Sequence, residues 1–458
     1  MSQKIKTISE AELKKYYEDA ERYLLKPWET RADPYGEPII LGGEGKYFYD
    51  ARGRKYLDFL SQLYNVNLGL RDRRVVEAIK KQAEELTYAK DTFFNIPQIQ
   101  LAKRLAEVTG MGPVRTFFSN SGTEANEAAF KLARVYTGRF KVIGVWNAYH
   151  GSTFASMSAG GVTANRNPFE PLVPGFFHVP PPYCYRCAYG LKYPDCGVRC
   201  VKFLEGTIKF HGPETVAAFI ADPVFVSAGI IVPPKEYWTM VREICDRYNI
   251  VLILDEVITG FGRTGRLFAR EHWGIKPDIM TLAKAISNAA VPLGATVMNK
   301  EISDFFSERK SFPHGYTYSG HPLACAAGLA AVNAYIEDKL PENAARVGKY
   351  LLDALKGVQD RHRSVGDVRG LGLIEGVEFV RDKETKEPLV AKDPKAPIEE
   401  RPLVALCDGC LDEGLLMMPT MAGSTLRIAP PLIIDEDDVD KAMKIFDREV
   451  TKIEKRFL

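Results

Sequence analysis

The chain has 458 residues, 46% hydrophobic and 26% charged, with 37 Gly, 28 Pro and 8 Cys. That is ordinary globular composition, which excludes collagen-like, largely disordered and disulfide-rich miniprotein classes. Lys and Arg total 61 against 59 Asp and Glu, a net charge of +2 with no block of like charge, so nothing resembles a nucleic-acid footprint.

The length accommodates roughly two or three domains at about 150 residues each. The N-terminus is polar and charged, without the apolar core of a signal peptide. The most apolar stretch, Val216 to Pro234, contains Asp222 and three prolines, which argues against a transmembrane helix. Eight cysteines at this length make no secreted disulfide scaffold, so a reducing cytoplasm is the expected compartment.

In chain order, a polar helix-like stretch opens the N-terminal arm, which then crosses Pro27, Pro34 and Pro38. Tyr47 to Asp50 and Tyr56 to Phe59 flank Arg52-Gly53 and predict a β-hairpin. From about residue 71, helical patterns alternate with short apolar runs at Val142–Val145, Val216–Ile220 and Ile250–Leu254. Runs buried on both faces and separated by helices indicate a parallel sheet. An Ala-rich helix is expected over Ala326–Ile336 and a strand over Gly370–Glu378, and residues 381–401 read as a surface excursion. The expected fold is α/β: a large domain with a mostly parallel central sheet, plus a smaller α+β domain built from both chain ends. Residues 1–70 would form the arm and part of the small domain, 71–325 the large domain and 326–458 the rest of the small domain.

Three segments carry chemistry. Ser121 and Glu124 have capping-box spacing ahead of an amphipathic helix, whose free N–H groups at Gly122 and Thr123 would suit a phosphate. The run Leu252 to Leu254 delivers Asp255 at a strand end, where α/β sheets bind ligands, with Val257 on the same face. Lys284 follows another apolar strand among Ala, Leu and Ile, and a desolvated lysine suits Schiff-base chemistry. Each has an ordinary structural explanation: a capped helix without ligand, an Asp capping the next helix, a snorkelling lysine. Together they describe pyridoxal 5′-phosphate.

At this point the chain resembles the class III pyridoxal-phosphate-dependent aminotransferases of fold type I, from about residue 35 to 445, and within them the amine and ω-amino-acid branch. The resemblance rests on Ser121-Gly122-Thr123-Glu124-Ala125, Tyr149-His150-Gly151, Asp255-Glu256-Val257, Lys284, Thr317 to Pro322, and Arg427-Ile428-Ala429-Pro430-Pro431. It implies that Ser121, Gly122 and Thr123 hold the phosphate and that Tyr149, beside His150, stacks on the pyridine ring opposite Val257. Asp255 would meet the ring nitrogen, Lys284 would carry the aldehyde and shuttle the proton, and Thr317 would reach the phosphate of the neighbouring subunit. Arg427 would take a substrate carboxylate, with Tyr64 and Phe93 or Phe94 as apolar walls for an amine. No metal ligand is assigned. The implied activity moves an amino group from a primary amine or ω-amino acid to a 2-oxo acid such as pyruvate or 2-oxoglutarate. The implied assembly is a homodimer or dimer of dimers with shared sites. An aminomutase, a decarboxylase and a cofactor-binding scaffold without turnover are the rivals.

Departures from the family pattern bear on substrate. Ile258 stands where ornithine-type branches carry Gln, Leu63-Tyr64 where amine-type relatives carry Leu-Trp, and Asp222-Pro223 where Glu-Pro is usual. No glutamate stands near Ser227 to pair with Arg427. Separately, Cys184, Cys187, Cys196 and Cys200 could form a zinc knuckle, remain free thiols or close disulfides, and Cys407-x-x-Cys410 lies near the C-terminus. His314 and His321 flank the Thr317 segment and are read as interface hydrogen-bonding groups.

Overall fold

The computed structural model describes residues 7–28, 38–309, 311–391, 396–397, 400–420 and 423–458. Pro34 and part of the 381–401 excursion lie outside them. Near the N-terminus, Ser9 Oγ accepts from Glu12 N and the Glu12 carboxylate accepts from Ser9 N, a capping box that starts the helix Glu10–Tyr23. Strands β1 (Ile40–Glu44), β2 (Tyr47–Asp50) and β3 (Lys55–Asp58) follow as an antiparallel meander. The β2–β3 turn is tied by Asp50 Oδ1, which accepts from the N–H groups of Arg52 and Arg54.

The central sheet comprises β4 (Arg115–Ser119), β5 (Lys141–Val145), β6 (Phe176–Val179), β7 (Val216–Ala221), β8 (Val251–Asp255), β9 (Ile279–Leu282) and β10 (Gly294–Met298). Their spatial order is β4-β10-β9-β8-β7-β5-β6. From β9 to β6 every pair is parallel, whereas β10 runs antiparallel to both neighbours. Every residue of β7, β8 and β9 is buried, which is why those strands read as unbroken apolar runs. Strand β5 is flanked by β6 and β7 on opposite sides, so the chain reverses direction across the sheet there. The crevice beyond the carboxyl ends of such strands is the natural place for a ligand.

The C-terminal part adds β11 (Val365–Gly370), β12 (Glu375–Phe379), β13 (Leu415–Leu416), β14 (Met418–Pro419) and β15 (Thr425–Ile428). A second four-stranded sheet runs β11-β12-β15-β14, while β13 pairs parallel with β3 and so joins both chain ends in one sheet. The run Gly370–Glu378, expected as one strand, is instead the turn and second arm of a hairpin. Gly372 explains the difference: its φ is +60°, and a Cβ there would lie 2.3 Å from the carbonyl carbon of Thr264. The Ala-rich helix spans Pro322–Glu337, and its small residues let it pack closely, with a Cβ on Gly328 meeting Leu293 Cδ2 at 2.8 Å. Among the described residues no helix is long and apolar enough to cross a membrane.

Candidate active site

Strand β8 is buried throughout, and its last residue, Asp255, is only 4% exposed. A carboxylate in that position needs polar partners, and it has them. His150 Nδ1 lies 2.8 Å from Asp255 Oδ2, Asn126 Nδ2 donates to the same oxygen at 2.8 Å, and Val257 N donates to Oδ1 at 3.0 Å. Asn126 is itself fixed: Nδ2 also donates to the His150 carbonyl, and Oδ1 accepts from Thr281 Oγ1, both at 2.8 Å. Burial disfavours the charged His150 imidazole, but the hydrogen bond to Asp255 and its charge outweigh that and raise its pKa. Just past β7, Asp222 completes a group whose ligand atoms, with those of His150 and Asp255, all lie within 4.8 Å of one another. Burial pushes the Asp222 carboxyl well above the ordinary carboxylate range; Asp255 adds to this and His150 opposes it.

The helix Gly122–Thr137 points its start at this crevice. Ser121 Oγ caps it by accepting from Glu124 N at 3.2 Å. Glu124 does not return the bond to Ser121, as a capping box would, but accepts from Asn120 N at 2.7 Å and Asn120 Nδ2 at 2.8 Å. The first-turn N–H groups of a helix have no intrahelical partners and favour an anion. A Cβ on Gly122 would press on Val257 Cγ1 and Cγ2 at 3.0 Å, so the missing side chain keeps the cradle open.

Lys284 follows β9 with φ +48°, a left-handed backbone that a residue with a Cβ adopts only when its surroundings impose it. Burial lowers its ammonium pKa, Asp255 and Asp222 oppose the shift and Arg427 adds to it. Ser121, Gly122, Thr123, Tyr149, His150, Asp255, Val257 and Lys284 all line one cavity of about 360 Å³, together with Asn126, Asp222 and Ile258. The Tyr149 hydroxyl shares a 2.8 Å hydrogen bond with Ser152 Oγ, and its ring meets Trp28 edge-on at 6.2 Å. Asn126 is the residue that sequence reasoning missed; its signal was its place four residues after Gly122, on the same helical face.

The other expected residues lie outside that cavity. Tyr64 and Arg427 are 2% and 7% exposed and face each other, with the guanidinium 5.5 Å from the ring centroid. Arg427 donates to the Pro419 carbonyl at 2.7 Å and has no acidic partner among the described residues; its Nε and the Tyr64 hydroxyl are buried without partners. Tyr64 closes a strained segment in which Ser61, Gln62 and Tyr64 all have positive φ. Asp58 holds it by accepting from Leu60 N and Gln62 N, both at 2.9 Å. Thr317 is exposed, its carbonyl accepting from Tyr88 Oη at 3.0 Å, and Phe93 and Phe94 are 63% and 86% exposed.

The sequence profile described as aminotransferase class-III matches residues 33–450. The chain is 37% identical over 421 residues to a putrescine–pyruvate aminotransferase of Pseudomonas aeruginosa, covering 90% of each. It is 38% identical over 430 residues to an omega-aminotransferase of Caulobacter vibrioides, covering 91% of this chain and 94% of that protein. The solved structure of an amine transaminase from an uncultivated Pseudomonas species, in its PLP-bound form, superposes with a TM-score of 0.89 at 36% identity, covering 95% of this chain and 99% of that one. A Bacillus anthracis aminotransferase superposes with a TM-score of 0.92 at 34% identity, covering 97% and 100%. With the match running nearly end to end and the sheet order of fold type I beneath it, the chain belongs to the class III aminotransferases.

Proposed function

We propose that this aminotransferase moves an amino group from a primary amine or ω-amino acid to a 2-oxo acid, pyruvate or 2-oxoglutarate, with pyridoxal 5′-phosphate as cofactor. The observation that carries the proposal is the gathering of Lys284, Asp255 and the start of the Gly122–Thr137 helix around one cavity. The residues fit that cofactor. The helix start and Gly122 offer a phosphate cradle, the buried Asp255 offers a charge for a ring nitrogen, and Tyr149 and Val257 offer flat walls.

When bound, the cofactor supplies an aldehyde that condenses with amines and a ring that takes up the electron pair released at the substrate carbon. The protein's part is positioning and proton transfer. Lys284, whose burial favours the neutral amine, is suited to nucleophilic attack and then to carrying a proton to and from the substrate carbon. Asp255, oriented by His150 and Asn126, would keep a proton on the ring nitrogen.

The donor class is supported by Ile258 in the cavity wall, by the absence of an acidic partner on Arg427 among the described residues, and by relatives named for putrescine, taurine and ω-amino donors. Pyruvate and 2-oxoglutarate are each named as acceptor among the relatives. A second copy of the chain would complete the site. Thr317, Phe93 and Phe94 lie on one exposed surface, stitched by Tyr88 Oη to the Thr317 carbonyl and by Asn95 Nδ2 to the Gly320 carbonyl at 2.9 Å. Lys284→Ala should abolish covalent capture of the cofactor by borohydride, read by intact mass, while circular dichroism stays unchanged. Full turnover in that variant would overturn the assignment.

A further inference from the structure

We propose that Cys184, Cys187, Cys196 and Cys200 form a binding site for a thiophilic divalent cation, zinc by preference, that fixes the loop ahead of the Arg199–His211 helix. Two, eight and three residues separate successive cysteines, a spacing suited to two ligand pairs on one turn-rich segment. None of the four is in a disulfide. All four line a single cavity of about 20 Å³, whose remaining wall is largely apolar, including Pro182, Leu191 and Val198. A space of that size admits one water or one ion and little else.

The loop itself calls for a fastener. From Pro180 to Val198 the chain has neither helix nor strand, and structureless segments of that length inside a compact domain are uncommon unless they serve a purpose. Val198, a β-branched residue lying between Cys196 and Cys200, is held at φ +50°, so its neighbourhood imposes a conformation it does not prefer. The helix that begins at Arg199 has no side-chain cap, and Cys200 stands in its first turn. The first cysteine pair is anchored from the other side. Tyr183 Oη and Arg186 Nε donate to Glu378 at 2.6 and 2.9 Å, and Lys386 Nζ donates to the Tyr185 carbonyl at 2.8 Å.

The sulfurs are splayed around the cavity, since among the described residues only His150, Asp222 and Asp255 bring three ligand atoms within 4.8 Å of one another. Each thiol turns about one bond, so a cation would draw them inward. As each sulfur–metal bond forms, the thiol proton leaves to solvent and no electrons are exchanged. Four sulfur donors without an oxygen ligand select zinc over magnesium or calcium.

The holoenzyme, purified from zinc-supplemented medium, should carry close to stoichiometric zinc by elemental mass spectrometry. Exchange with cobalt(II) should give thiolate-to-cobalt charge-transfer absorption and the strong visible bands of a tetrahedral site. A metal held instead by His150 and the two aspartates would lack the thiolate band. Cys184→Ser with Cys187→Ser, and Cys196→Ser with Cys200→Ser, should each lose the metal while the cofactor remains bound. If these variants fail to fold, the cobalt spectrum of the wild-type chain decides. Wild-type protein without zinc or thiolate-to-cobalt absorption, iron in place of zinc, or an intact mass showing disulfides would each overturn the site.

Discussion

His150 Nδ1 and Asp255 Oδ2 stand 2.8 Å apart, and both residues are almost wholly shielded from solvent. The Asp255 carboxylate favours the charged form of His150. Because His150 is raised above its ordinary 6.5, its stabilising contribution is complete below that value and fades as pH rises through the raised one. Asp255→Asn should therefore move the His150 titration down, observable by imidazole NMR. It should also slow the amine half-reaction by roughly a hundred- to a thousandfold, the scale for losing one preorganised electrostatic contact.

Arg427 offers a guanidinium whose only hydrogen bond among the described residues is to the Pro419 carbonyl. Losing a charge-assisted pair with a substrate carboxylate costs about 1.5–3 kcal/mol, so Arg427→Ala should weaken 2-oxo-acid use by roughly ten- to a hundredfold. Neutral-amine donation, followed in its own half-reaction, should change far less. Equal loss in both would make Arg427 a structural residue.

Thr317 is exposed on the single chain, away from the cavity lined by Lys284. Mixing Lys284→Ala with Thr317→Ala chains should yield hybrid dimers with one intact site and activity above either parent. No recovery, with hybrids demonstrated by native mass spectrometry, would count against a shared site.

Burial raises the Glu256 carboxyl from 4.5 to about 7, although Thr259 Oγ1, Arg270 N and Ala269 N all donate to it. The unfolded chain therefore releases this proton first as pH rises. Stability from this group is complete below about 4.5 and falls by a few kcal/mol on the way to about 7. Glu256→Gln should flatten that part of the stability profile, measured by urea unfolding at a series of pH values. An unchanged slope would contradict it.

Helix Leu340–Arg361 approaches the hairpin turn so closely that a Cβ on Gly348 would lie 1.7 Å from the Gly372 carbonyl oxygen. Backbone cannot step aside as a flexible side chain can. Gly348→Ala should cost about 1–3 kcal/mol or more, read as a lower melting temperature.

What the sequence disclosed follows from where each signal is written. Lys284, Asp255 and the Ser121–Thr123 turn announce themselves locally, by a strand that ends in a charged residue or a cap that precedes a helix. Asn126 and the closeness of Asp222 did not, because His150, in the loop after β5, and Asp255, at the end of β8, lie far away in sequence and only the sheet order brings them together. The β11–β12 hairpin was misread because a glycine turn between two short apolar strands keeps the same alternation as a single strand. Glu124 reached Asn120 instead of Ser121, a choice that spacing alone does not resolve. Phe93, Phe94 and Thr317 read as site residues, yet one chain leaves them at its surface.

Ser61 Oγ donates to the carbonyl of Ala429, 368 residues further along, and β3 likewise waits for β13. Closing so long a loop is slow, and it has a direction when the chain leaves a ribosome. The central sheet, with Asp255 and Lys284, can assemble while the left-handed turn that holds Tyr64 still lacks the strand that locks it. On the proposed function, a nascent chain would therefore gain its cofactor pocket before its substrate wall. Cofactor captured at that stage would sit in a site with no selectivity, and selectivity would arrive only once β13 and Ala429 had been made.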